Sequence, residues 1–210
     1  MPLAAPAQAG DDFQTWQSLS LRWWNTERLR MVTSLHTRFV EDSSEFSLYR
    51  IGHRVTTFPT SWLQTMIGYR YGEAPESNVR QHRGELQATL HRPLGEHFRI
   101  GLRNRFEVRG TEGVGELNER FRHRLRLSLP VARYPPLRSL FINEEVIYDL
   151  DRGAVSESRP VPLGFQFQLS PRVGFRLYYL LRSRRSAGDW DHSHELSTGL
   201  DLSLRAREPQ

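Results

Sequence analysis

Hydrophobic and polar residues alternate with a period of two along almost the whole chain. In the segment 119–129, Phe121 and Leu125 alternate with Arg122 and Arg124. This alternation predicts β-strands with one apolar and one polar face, because successive side chains of a strand point to opposite sides. The pattern occurs in segments at roughly 13–24, 27–40, 46–58, 61–71, 80–92, 97–109, 119–129, 138–150, 160–169, 172–184 and 193–205.

The segments between these strands alternate between short turns, such as "FPTS" and "YPP", and longer polar loops, such as "GEAPESN" and "GTEGVGELN". That alternation is typical of an antiparallel meander whose two ends differ. We therefore predict an all-β protein, an up-and-down antiparallel transmembrane β-barrel. The pattern contains eleven strands. Because bacterial single-chain barrels have even strand numbers, we expect twelve strands, with ten as the alternative.

Period two does not by itself say which face is inside, and strand length and glycine positions favour a membrane barrel. The segments are longer than the strands of about 5–6 residues that are common in globular proteins. Glycines fall on the polar face, at Gly52, Gly68, Gly101, Gly164, Gly174 and Gly199. In a narrow lumen, a glycine leaves room for long neighbouring side chains.

Composition and charge indicate which face of the strands lines the lumen. The chain has 210 residues, a formal net charge of +5 and no cysteine, and all 29 of its basic residues are arginine. Cysteine-based zinc sites and nucleophiles are thereby excluded. A guanidinium suits bidentate pairing with carboxylates. An arginine on the lipid face would cost about 2–4 kcal/mol at the bilayer midplane, so the polar face is predicted to line the lumen.

Carboxylates share the polar face with the arginines, so we expect ion-pair ladders across neighbouring strands. The candidate lumen-lining residues are Arg50, Arg54, Arg70, Glu85, Arg99, Arg103, Arg105, Glu107, Arg109, Arg120, Arg122, Arg124, Arg126, Asn143, Glu145, Arg176, Arg182, Glu195 and Asp201. Isolated histidines on that face, such as His36 and His91, are interpreted as members of the same polar network.

Two short stretches suggest chemistry. In "DWDHSHE", His192 and His194 share one face and Ser193 the other, which suits metal ligands better than a nucleophile and its base. In "NEEVIYD", Glu144 would face lipid, which predicts a bulge or an interfacial position. We interpret both as polar structure rather than as sites. The patterns of hydrolases, zinc proteases and nucleotide-binding loops are missing, so no catalytic, metal or cofactor-binding residue is assigned and no cofactor is expected.

Several motifs in order resemble a family of uncharacterised outer-membrane β-barrels, DUF2490. They are Trp16, "GYRY" at 68–71, "RNRFEVR" at 103–109, "RFRHRLRL" at 120–127, "NEEVIYDL" at 143–150 and "SRPVPLGFQFQL" at 158–169. The similarity spans about 13–204. The resemblance implies a secreted Gram-negative outer-membrane barrel without an established activity.

The domain prediction is a signal-peptide remnant or disordered N-terminus at 1–12, a single barrel at 13–205 and a tail at 206–210. The "AQA" at 7–9 resembles a signal-peptide cleavage site. We predict a bacterial outer-membrane location, with outer-membrane lipid and the barrel-assembly machinery as partners, and no nucleic acid.

Three functions fit these features. The first is a structural barrel or a narrow, porin-like, anion-preferring pore with an Arg/Glu-lined lumen. The second is an outer-membrane enzyme that acts on lipid, although the sequence favours a protein that is not an enzyme. The third is a soluble basic β-protein that binds nucleic acid.

Overall fold

The computed structural model describes residues 12–131, 134–186 and 189–204, and almost all of them lie in strands. The strands are β1 (Asp12–Asn25), β2 (Leu29–Val40), β3 (Glu45–Thr57), β4 (Leu63–Ala74), β5 (Val79–Leu94), β6 (Phe98–Thr111), β7 (Leu117–Pro130), β8 (Leu137–Asp149), β9 (Ala154–Ser158), β10 (Val161–Ser170), β11 (Val173–Ser186) and β12 (Asp189–Ser203). A 3₁₀ turn, Pro75–Ser77, follows β4. In the described part of the chain, no helix is long and apolar enough to cross a membrane.

The strands form one closed sheet, which confirms the predicted all-β barrel. Each of β1 to β8 pairs antiparallel with the next, and β10, β11 and β12 continue the wall. β10 pairs with β8 on one side and β11 on the other, and the short β9 pairs with the same two neighbours. β9 and β10 are therefore two segments of one wall position, interrupted at Arg159 and Pro160, since proline has no backbone N–H for the ladder.

The barrel closes between β1 and β12, and these two strands run parallel. The register extends from Asp12 opposite Ser193 to Arg22 opposite Ser203. Parallel closure follows from eleven wall positions, because an odd number of alternating strands brings the first and last into the same direction. The eleven segments of the sequence pattern correspond to these positions, and the expected twelve strands are reached only when β9 is counted separately.

The predicted contrast between short and long connections is wrong. The connections after β2 and β4 span 41–44 and 75–78, while those after β3 and β5 span 58–62 and 95–97. Many residues that the sequence pattern assigns to loops belong to strands in the structure. The reason is that backbone pairing continues beyond the part of each strand that faces lipid. We call the end at the loops after β2, β4, β6, β8 and β11 the upper rim, and the opposite end the lower rim.

The two faces of the wall are segregated. The outer face carries exposed apolar side chains, including Ile67, Leu86 and Leu125, which are 61%, 55% and 51% exposed. The inner face carries buried charge instead, and Glu107 and Glu195 are fully buried. The apolar cluster of buried residues is small, and it consists of Phe141, Val161 and Leu180 with Tyr178 packed against them. The structure is therefore a barrel with an apolar outside and a charged inside.

The predicted N-terminal segment at 1–12 and the tail at 206–210 lie outside the described residues, apart from Asp12, with which β1 begins.

Candidate functional site

The candidate site is the lumen, and glycines on the inner face make room for it. A Cβ at Gly164 would collide with the ring of Phe141. At Gly52 it would lie 2.9 Å from Cγ of Arg70, and at Gly72 it would lie 2.8 Å from Cγ of Arg50. The inner-face glycines thus lie beneath long side chains from neighbouring strands.

Arginine and glycine alternate in a regular pattern between β3 and β4. Arg50 lies opposite Gly72, Arg70 opposite Gly52, and Arg54 opposite Gly68. The same relationship recurs on the far side of the closure, where Arg176 of β11 lies opposite Gly199 of β12. Each of these arginines can therefore lie flat across the neighbouring strand.

A network of ion pairs fills one side of the lumen, across β5 to β8. At its centre, Glu107 is contacted by Arg122 at 2.8 Å, Arg109 at 2.5 Å, Arg105 at 3.6 Å and Arg83 at 3.7 Å. Arg122 also reaches Glu145 at 2.5 Å, and Arg103 pairs with the same carboxylate. This geometry realises the predicted ladder, although the pairs run along and diagonally across the strands.

Further pairs complete the network. Glu85 lies 3.0 Å from Arg70, Asp149 lies 3.5 Å from Arg120, and Asp201 lies 3.1 Å from Arg176. On the β9–β12 side, Glu157 pairs with Arg159 and Arg182, and Arg182 also reaches Glu195 at 3.5 Å.

Charge compensation is uneven. None of the described carboxylates forms an ion pair with Arg50, Arg54 or Arg124, although these side chains line the same lumen. Buried nitrogen atoms without a hydrogen-bond partner among the described residues include Nε of Arg103, Arg122 and Arg124, and Nε2 of His36. Groups of this kind are costly to bury unless something else satisfies them.

Among the described residues, two cavities lie within the lumen. The larger has a volume of about 400 Å³, and its described lining contains sixteen arginines and two glutamates, Glu145 and Glu157. The smaller has a volume of about 220 Å³ and lies toward the lower rim. Both cavities are lined by Ser20, Arg54, Arg103, Arg105, Arg124, Arg126 and Arg176. These seven residues, six of them arginines, form the narrow level between the cavities, which we call the arginine constriction.

Most of the residues predicted to line the lumen point inward. Arg50, Arg54, Arg70, Arg103, Arg105, Arg109, Arg120, Arg122, Arg124, Arg126, Asn143, Glu145, Arg176 and Arg182 line the larger cavity, and Asp201 lines the smaller. Glu85, Glu107 and Glu195 are buried in the ion-pair network. Arg99 is exposed at the start of β6, near the lower rim, so the structure does not place it in the network.

The pattern missed several luminal residues. Glu157 and Arg159 lie outside the predicted strands, because the segment before Pro160 carries no apolar alternation. Arg38 lines the larger cavity and is hydrogen-bonded to Gln14, with Nη2 at 2.7 Å from Oε1. The sequence could have identified Arg38, because it shares the polar face of β2 with His36. Trp16 also lines the cavity, with the guanidinium carbons of Arg38 and Arg159 lying 5.5 and 5.2 Å from its ring centre.

The residues of the two polar stretches that suggested chemistry, His192, His194 and Glu144, lie on the outer face, while Glu145 and Glu195 lie on the inner face. His192 Nδ1 lies 2.9 Å from Oγ of Ser183, and His194 is hydrogen-bonded to Tyr179. No group of metal-ligating side chains occurs within the described ranges. Glu144 pairs in regular register with Leu125 and accepts a hydrogen bond from Oγ of Ser158 at 2.7 Å. The register is irregular elsewhere on the other side of β8, between Ile147 and Tyr148 opposite β9 and between Val161 and Gly164 of β10.

Comparison with known proteins agrees with this architecture. The sequence model of the family described as "Protein of unknown function (DUF2490)" matches residues 13–193, so the chain belongs to that family. This confirms the resemblance carried by the motifs. No curated protein matches the sequence.

Solved structures with a similar fold are outer-membrane barrels. The β-domain of the Bordetella autotransporter BrkA has a TM-score of 0.57 at 10% identity and covers 85% of each chain. A bacterial polysaccharide outer membrane secretin has a TM-score of 0.54 at 7% identity, covering 87% of this chain and 78% of its own. The NanC porin has a TM-score of 0.50 at 8% identity, covering 91% and 99%. The protein is an outer-membrane-type β-barrel of the DUF2490 family.

Proposed function

We propose that this barrel lies in the bacterial outer membrane and acts as a narrow pore that prefers anions. One observation carries the proposal: sixteen arginines and two glutamates line the larger cavity within the described residues. A passage with this charge attracts anions and repels cations, and the low-dielectric wall strengthens both effects. The formal net charge of the whole chain is only +5, so positive charge is concentrated in the lumen.

The arginine constriction supports a pore for small ions only. Guanidinium groups from β3, β6, β7 and β11 meet there, and the cavities on either side have volumes of about 400 and 220 Å³. A barrel with this number of strands has an interior largely filled by side chains. A wide, water-filled channel of the general porin type does not fit this geometry.

The membrane location is supported by the outer face. Exposed apolar side chains such as Ile67 and Leu86 would be costly in water, and they match the lipid-facing band of such barrels. Outer-membrane lipid and the assembly machinery are therefore the proposed partners. The soluble nucleic-acid-binding alternative needs its arginines on the surface, and most of them face the lumen.

Planar lipid bilayers test the proposal directly. Purified protein should produce small conductance steps, and the reversal potential in a KCl gradient should show chloride preference. The pore proposal would be wrong if protein that has inserted into the bilayer gave no conductance steps. It would also be wrong if the steps showed a preference for potassium.

A second candidate is an enzyme that acts on lipid, and one observation favours it. A polar row crosses four strands on the outer face: Glu144 accepts from Ser158, Ser158 lies opposite Ser183, and Ser183 is hydrogen-bonded to His192. A serine beside a histidine at a lipid-facing surface is a possible nucleophile and base. Turnover of phospholipid in detergent that is lost in Ser183→Ala would support it, and no turnover across a lipid panel would remove it.

A further inference from the structure

One level of the barrel combines small residues with arginines. Around the closure, residues that lie opposite one another in neighbouring strands run from Arg176 to Gly199, Ser18, His36 and Arg50, and then to Gly72. Gly199 has no side chain and that of Ser18 is short, so the wall is thin there. This leaves a recess on the inner face between Arg176 and His36. All of these residues except Gly72 line the larger cavity.

Positive charge converges on this recess. Arg50 lies directly opposite His36 in the register of β2 and β3, and Arg54, Arg70 and Arg176 line the same cavity as His36. Each of the four arginines lies opposite a glycine and can fold toward the recess. A Cβ at Gly199 would lie 3.2 Å from Nη2 of Arg176 and 2.8 Å from Oγ of Ser18, so the arginine is packed closely against this wall.

The charge in the recess is only half compensated. Arg70 pairs with Glu85 at 3.0 Å and Arg176 pairs with Asp201 at 3.1 Å. Arg50 and Arg54 form no ion pair with a described carboxylate. Nε2 of His36 is buried and lacks a hydrogen-bond partner within the described part of the chain. Two unpaired guanidinium groups and one unsatisfied nitrogen therefore face a shared space.

We propose that this recess is a binding site for a tetrahedral oxyanion with two negative charges, of the phosphate and sulfate class, held by Arg50, Arg54, Arg70, Arg176 and His36. The inference deepens the anion-preferring lumen and rests on it. Planar guanidinium groups match the oxygens of such an ion in bidentate geometry, whereas chloride offers one centre. Two uncompensated arginines balance the two charges, and Nε2 of His36 supplies a further donor when it carries the proton.

The recess adjoins the arginine constriction, because Arg54 and Arg176 belong to both. An oxyanion held there would occupy the passage between the two cavities. The recess would therefore be a selective binding site for oxyanions along the lumen, at which phosphate displaces chloride.

The test is calorimetric titration of the full chain in detergent with inorganic phosphate, at constant ionic strength in a chloride background. Saturable binding is expected, with competition by sulfate and none by nitrate. Arg50→Gln and Arg54→Gln should each weaken binding about tenfold or more, the scale of one charge-assisted hydrogen bond. Arg152→Gln is the matched control, since it removes the same charge from an exposed residue of the upper-rim loop after β8 that lines neither cavity, and it should leave affinity unchanged.

Equal weakening by Arg152→Gln and Arg54→Gln would overturn the site, because it would indicate diffuse attraction. Absence of saturable binding by the unaltered protein would also overturn it. Heat-modifiable migration in gels reports whether each variant folds. If an arginine variant fails to fold, competition on the unaltered protein decides, and nitrate competing as well as sulfate counts against the site. Binding does not need conduction, so binding without conductance steps contradicts the pore alone, and steps without binding contradict the site alone.

Discussion

Arg122 donates from Nη1 to Oε1 of Glu107 at 2.8 Å, at a point where the carboxylate is fully buried. The other end of the same guanidinium reaches Glu145 at 2.5 Å. Arg122 therefore joins the two acidic centres of the β5–β8 network. A buried carboxylate with several arginine neighbours is strongly destabilising to remove, because the cations that remain are uncompensated.

Glu107→Gln should therefore destabilise the folded barrel by roughly 3–5 kcal/mol. The substitution keeps the shape but leaves Arg83, Arg105, Arg109 and Arg122 without the shared negative charge. The measurement is the temperature at which the folded, fast-migrating band disappears from a gel. Glu112→Gln is the control, because Glu112 is 47% exposed in its pairs with Arg80 and His82. Similar melting of the two variants would show that Glu107 does not organise the lumen.

Gly164→Ala should destabilise the barrel because its Cβ would overlap the ring of Phe141. Overpacking of this kind costs about 1–3 kcal/mol. Gly84→Ala is the matched control, since nothing lies within 4 Å of its Cβ position. The two variants are compared by urea unfolding in the same lipid vesicles. Unchanged stability in Gly164→Ala would mean that Phe141 does not occupy the lumen above this glycine.

The orientation of the two faces predicts a contrast between two leucines. Leu86 is 55% exposed on the outer face, midway along β5, and Leu48 lines the larger cavity. Leu86→Arg should destabilise the protein in lipid by about 2–4 kcal/mol, the cost of arginine at the bilayer midplane. Leu48→Arg should be better tolerated, because its side chain enters a polar cavity. Folding yield in vesicles checks this, and the reverse order would mean that the faces are assigned wrongly.

Parallel closure places the start of β1 and the end of β12 at opposite rims. The chain has no cysteine, so single introduced cysteines report their side of the membrane. Asp12→Cys and Ser43→Cys should react together with an impermeant maleimide applied to one side of the membrane. Glu96→Cys and Leu204→Cys should react together from the other side. Labelling of Asp12→Cys and Leu204→Cys from the same side would require an even number of wall strands.

Much of this architecture could be predicted from period two alone. In β6, Arg103, Arg105 and Glu107 share one parity, and the structure buries all three. The eleven wall positions were readable because lipid imposes an apolar residue at every second position. The closure was not predictable in this way, because parity along each strand carries no information on how the first strand meets the last.

The ion-pair partners could be predicted only in part. In the register of β6 and β7, Arg120 lies directly opposite Glu107, and Arg122 and Arg124 follow on the same face of β7. Only Arg122 contacts it, while Arg120 lies 3.5 Å from Asp149. Long side chains reach diagonally across strands, so register alone does not select a partner. The recess around His36 was beyond the pattern for a related reason, since it depends on strands brought together by the closure.

Anion selection by the lumen is tested most directly by the reversal potential of single pores in a KCl gradient, compared between the unaltered protein and Arg54→Glu. Arg54 belongs to the arginine constriction and lines both cavities. The unaltered protein should prefer chloride, and Arg54→Glu should shift the reversal potential toward that of potassium. Arg152→Gln, at an upper-rim residue that lines neither cavity, should leave it close to the original value. A potassium preference in the unaltered protein, or an unchanged potential in Arg54→Glu, would contradict a lumen whose arginines select anions.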